Sequence, residues 1–145
     1  MGTILFIHNF LALIALALLG GILIYYMLFL GKKDTVFFFK KGNYLSISTL
    51  FALHIQFLLG ILLLCNYAFF LMKSNISFGE IMKNAPIRYK IIEHPICMFI
   101  GIVFATIAHI KLKKRKMLHT SSFVFFLLSL IFILGRLPFH LLLRR

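Results

Sequence analysis

Six histidines stand in a chain that has only three acidic residues, and they are the groups best able to do chemistry: His8, His54, His94, His109, His119 and His140. An imidazole can ligate a metal through a neutral ring nitrogen, carry a proton, or bond on two edges at once. The two cysteines, Cys65 and Cys97, fall in neither a C-x-x-C-H nor a zinc-type spacing, so covalent c-type haem attachment and a zinc site are excluded. They read as small buried apolar residues, with a disulfide as the alternative. What the histidines can do therefore depends on where the chain carries them.

The chain has 145 residues, 16 Lys+Arg against 3 Asp+Glu, a formal charge of +13 and 62% hydrophobic residues. An ordinary soluble domain is about half apolar and about a quarter charged, so this composition lacks the polar surface to dissolve in water. Lipid is the solvent it fits. The basic excess sits between long neutral stretches, where it fits loops against anionic headgroups; no nucleic-acid partner is expected. A spanning helix needs about 20 mostly apolar residues. Runs free or nearly free of charge predict four of them, at about 3–31, 43–72, 91–110 and 120–143, within a single membrane domain covering 1–145. The first run has no basic start and is too long for a signal peptide, so it reads as a retained helix. The expected fold is an all-α integral membrane four-helix bundle.

Orientation follows from loop charge, because cytoplasmic loops retain Lys and Arg. Lys32, Lys33, Lys40, Lys41, Lys111, Lys113, Lys114, Arg115 and Lys116 give one side nine basic residues, and Lys73, Lys83, Arg88, Lys90, Arg144 and Arg145 give the other side six. Both termini are thus expected on the non-cytoplasmic side. The second loop, Lys73 to Lys90, is the longest connection. Its Ser74, Asn75, Gly79, Asn84 and Pro86 predict irregular structure with a short interfacial turn, and Asn75-Ile76-Ser77 matches a glycosylation sequon.

Antiparallel spans place His8 and His94 at similar depth near the outer surface, and His54 and His109 near the inner one. His94 and His109 are fifteen residues apart, which is roughly 22 Å along a helix and about 60° around it, so both can face one core. Polar groups inside a membrane face a bundle interior or a cavity when they occur. Two layers of paired imidazoles suit low-spin haem, whose iron takes one imidazole above its plane and one below. The expected metal ligands are His8 with His94 and His54 with His109, for one or two b-type haems. Gly101, with Ala105 and Ala108, would admit a close helix or a flat macrocycle. Arg136 would snorkel outward or hold a haem propionate. The plainer reading is that each histidine bonds one helix to another.

His119 reads as an interfacial residue that competes with His109, and His140 as a competitor of the outer pair. Glu93 is the only acid in an apolar run and should pair with Arg88 or Lys90, or serve as a proton acceptor near an outer cofactor or quinone. A transporter or proton channel would need a water-lined path, for which Gln56, Asn66, Thr106 and scattered serines are thin material.

Met82-Lys83-Asn84, Arg88-Tyr89, Glu93-His94, Met98, Thr106-Ile107-Ala108-His109 with its lysine-rich tail, His54-Ile55-Gln56 with Leu58-Leu59-Gly60, His8, and Leu137-Pro138-Phe139 together cover most of the chain. In these elements it resembles small four-helix bacterial inner-membrane proteins labelled cytochrome B. Those proteins carry an Arg-Trp pair soon after the first histidine, where this chain has Ala12 and Leu13. The resemblance implies haem binding and electron transfer in a bacterial inner membrane. The expected function is a membrane-embedded b-type cytochrome or haem-bearing respiratory subunit, an electron carrier more than a stand-alone enzyme, working with quinone and other membrane subunits. The competing expectation is a cofactor-free structural subunit or assembly factor.

Overall fold

The computed structural model describes residues 2–31 and 35–135, and over that range it is helical throughout, without a strand. Helix α1 spans Gly2–Phe29 and α2 spans Thr35–Lys73; two short helices, α3 (Phe78–Lys83) and α4 (Ala85–Arg88), lead through a π-helical turn, Tyr89–Glu93, into α5 (His94–Arg115), and α6 covers Thr120–Leu134. Three segments, Gly2–Phe29, Phe37–Lys73 and Ala85–Arg115, are long and apolar enough to cross a bilayer. The 15 described residues of α6 form a shorter apolar helix. The expected end of the fourth span, with Arg136, Pro138 and His140, lies outside the described residues, as do Lys32 and Lys33.

Helix boundaries follow local chemistry. Gly31 adopts φ +84°, a left-handed conformation that costs glycine nothing and ends α1. Asn75 (φ 53°) and Lys116 (φ 51°) do the same after α2 and α5, Asn being one of the residues that tolerate it. The sequon asparagine is thus a helix-ending residue in this fold. Ser77 and Glu80 cap α3 reciprocally. Two helices are longer than expected: α2 begins eight residues before position 43, and α5 continues past residue 110 to Arg115. The cluster Lys111 to Arg115 is therefore helix rather than loop. Leu, Lys and Arg all propagate helix well, and cations suit the negative end of the helix dipole.

Packing runs α1 against α2, α2 against α5, α5 against α6, and α6 back onto α1. The diagonal pairs α1/α5 and α2/α6 make no backbone contact, so the space between them is left to side chains. Each helix turns one stripe inward: Ala15, Leu19, Ile22 and Tyr26 on α1; Ser46, Thr49 and Leu53 on α2; Gly101, Ala105, Ala108 and Leu112 on α5; Ser122, Phe126, Ser129 and Ile133 on α6. Seven of these fifteen residues are Gly, Ala or Ser, and small residues allow the close helix approach on which packing within lipid depends. Large apolar side chains cover the outside instead, with Phe6 71% and Met27 73% exposed. A water-soluble bundle does not expose apolar surface on this scale; a membrane bundle must.

Candidate functional site in the helix interior

The outer polar layer is assembled by three helices. His8 projects from α1 toward α2, where a Cβ added to Gly60 would come within 3.3 Å of its Cε1. The missing side chain of Gly60 leaves room for the Cε1 edge of the imidazole. Gln56, one turn earlier on the same face, brings its Nε2 to 3.1 Å from His8 Nδ1 and 3.2 Å from Nε2. These two nitrogens flank Cε1, so a donor equidistant from both sits over the ring face. Gln56 Oε1 is buried with no hydrogen-bond partner, an orphan that is costly inside lipid.

His94 enters from across the bundle and lies within electrostatic reach of His8. Its placement rests on Pro95. A proline has no N–H to give the carbonyl four residues back and its ring clashes there, so the chain takes the wider π register over Tyr89–Glu93, closed by His94 N–H donating to the Tyr89 carbonyl. The His94 ring lies 5.9 Å from the Tyr89 ring. Just outside, Arg88 Nε donates to Glu93 Oε1 at 2.8 Å and Arg88 also holds the Met82 carbonyl at 2.6 Å. Of the two cations open to Glu93 in the sequence, Arg88 is the partner. Lys90 lies over the Tyr67 ring instead, 5.3 Å from its centroid.

The inner layer differs. His109 Nδ1 and Ser46 Oγ share a 2.9 Å hydrogen bond, with Ser46 fully buried. His54 is exposed, and its Nδ1–H donates at 2.7 Å to the Leu50 carbonyl of its own helix. Since Ser46 marks where His109 meets α2, His54 stands about 12 Å further along the axis, eight residues at 1.5 Å each. The structure does not bring His54 and His109 together. His119 does not replace either: it caps α6, its Nδ1 accepting from Ser121 N at 3.1 Å.

Gly101 serves the closer-helix alternative. A Cβ there would meet Ile133 Cγ1 at 2.7 Å, so α6 fills the space a macrocycle would need. Cys65 and Cys97 are both free, and Cys65 is exposed where burial was expected. Among the described residues no group of three or more His, Cys, Asp and Glu could hold a metal ion. For haem the requirement is smaller, two imidazoles from separate helices meeting across a core. His8 and His94 are compatible with it, lying within electrostatic reach on diagonal helices whose backbones stay apart, with the orphaned amide oxygen of Gln56 on the residue that contacts His8. His54 and His109 are not. A cavity of about 450 Å3 lies elsewhere, in the α2–α5 connector, lined by Ile76, Glu80, Lys83, Asn84 and Ile87.

The partner of His109, Ser46, was not singled out by residue type, although position betrays it. Ser46, Thr49, Leu53, Gln56 and Gly60 recur at alternating three- and four-residue steps, the period of one helix face. The fold and these polar layers define an all-helical protein with long apolar helices suited to a bilayer. Comparison of the chain with family models, curated proteins and solved structures gives no match.

Proposed function

We propose that the protein is a membrane-embedded b-type cytochrome or haem-bearing subunit that passes electrons in a bacterial inner membrane, with His8 and His94 as the residues that would hold the haem. The observation that carries this reading is that His94 on α5 lies within electrostatic reach of His8 on the diagonal helix α1. Haem b bound there supplies one-electron transfer. His8, held against Gly60 with Gln56 over its face, and His94, set by the π turn, would hold the iron. Quinone and other respiratory membrane subunits are the proposed partners, and the more basic opposite end supports a non-cytoplasmic position for both termini. Of the two haems the sequence allows, the outer one alone is proposed, because His94 lies within electrostatic reach of His8 whereas His109 bonds to Ser46 and His54 to its own helix.

The test is a reduced-minus-oxidised absorption spectrum of the protein purified after expression with ample haem. The reading expects a low-spin b-type spectrum that disappears in the His8→Ala/His94→Ala double variant. A colourless wild-type protein rejects it. The second reading is a cofactor-free structural subunit, favoured by the way His54, His109 and His119 are each satisfied by a neighbouring carbonyl, hydroxyl or backbone N–H.

A further inference from the structure

The two ends of the bundle carry very different charge. At the connector end, Lys73, Lys83, Arg88 and Lys90 stand with Glu80 and Glu93, and Arg88 is neutralised by Glu93. At the opposite end, Lys40, Lys41, Lys111, Lys113, Lys114, Arg115 and Lys116 stand without an acid among the described residues. These cations come from different parts of the chain but converge. A Cβ on Gly42, next to Lys41, would lie 3.0 Å from Leu118 and 3.2 Å from Tyr25, so the start of α2, the α5–α6 turn and the end of α1 share one corner. Lys116 is two residues from Leu118.

From this convergence we infer that the corner is a binding surface for the headgroups of acidic phospholipids. The occupant must be amphiphilic because the cations border the lipid-facing belt. Lys41 Nζ lies 4.6 Å from the centroid of the Phe37 ring, itself 56% exposed, and Lys111 Nζ lies 5.2 Å from that of Phe125. Ile110, also 56% exposed, immediately precedes Lys111. Each ammonium thus sits over an apolar ring, and the exposed Lys113, Lys114, Arg115 and Lys116 follow directly in the chain, as cations that meet phosphate at the edge of an apolar belt would. Seven like charges gathered at one end repel each other, and an anionic lipid annulus removes that repulsion.

The experiment offers the purified full chain an equimolar mixture of phosphatidylglycerol and phosphatidylcholine in detergent and measures the lipid that copurifies. The surface predicts a preference for phosphatidylglycerol of roughly fivefold or more. It predicts loss of that preference in K113Q/K114Q/R115Q/K116Q, retention in the charge-keeping K113R/K114R/K116R, and retention in K73Q/K83Q at the other end. Far-ultraviolet circular dichroism shows whether the glutamine variant still folds, and the arginine variant tests the idea if it does not. Equal uptake of both lipids by the wild-type chain overturns the proposal, as does full preference in a folded glutamine variant. Displacement of the phosphatidylglycerol by inorganic phosphate at moderate concentration overturns it too, since the site would then be one for free anions.

Discussion

His8 and His94 lie seven residues before Ala15 and Gly101, on the inward stripes of α1 and α5, whereas His54 and His109 each lie one residue past their stripes, beside Leu53 and Ala108. One residue is about 100° around a helix. At the outer layer His94 lies within electrostatic reach of His8 across the diagonal. At the inner layer His109 turns sideways to Ser46 on the neighbouring helix and His54 is exposed, bonded to its own helix. Depth alone pairs histidines in both layers; their partners distinguish them, Gln56 for His8, Ser46 for His109 and the Leu50 carbonyl for His54. In the outer layer a buried amide oxygen is left without a partner, while each inner histidine has found one.

The contrast is broken most sharply by exchanging the layers. His94→Ala is expected to abolish the b-type spectrum, and His54→Ala to leave it unchanged, both read by absorbance of the purified protein; loss in both variants would make the layers equivalent. Next in size is a packing effect. Gly101→Val forces side-chain atoms into the place of Ile133 and should destabilise the bundle by about 1–3 kcal/mol, measured by thermal unfolding in detergent. A neutral result would mean that α6 does not seat on α5 there. Ser46→Ala should cost less, about 0.6 kcal/mol, the average found for hydrogen bonds between membrane helices, with the haem spectrum intact. A spectral change would move the inner layer into the site.

The smallest expected effect concerns the connector. The Ser77 backbone N–H and hydroxyl hold the Glu80 carboxyl below its ordinary value of 4.5. A carboxylate lowered in this way contributes its stabilisation above that value and loses it as pH falls through the folded value. Acidification from neutral pH should accordingly loosen α3, seen as faster amide exchange at Phe78–Lys83, and Glu80→Gln should show the loosened state already at neutral pH. Exchange in the two histidine layers should not follow.

Legibility in the sequence tracked how far each signal reaches along the chain. Charge-free runs found the three long apolar helices because hydropathy is summed over many residues, so a few polar ones do not disturb it. Boundaries were harder: Lys40, Lys41 and Lys111 to Arg115 look like loops by charge, yet lysine and arginine propagate helix readily, and α2 and α5 run on through them. Gly101 was read for its small size, which is common to a macrocycle slot and a tight helix crossing, and only the position of Ile133 decides between them. The Ser46–His109 bond depends on the relative register of α2 and α5, a quantity that no local pattern contains.

The central claim is that one imidazole pair, and not two, is built to sandwich an iron. The ratio of haem to polypeptide in the purified wild-type protein tests it most directly. The account predicts a single haem per chain; a ratio of two would show that His54 and His109 also meet around an iron, and a ratio of zero would leave the outer pair as hydrogen-bonding side chains alone.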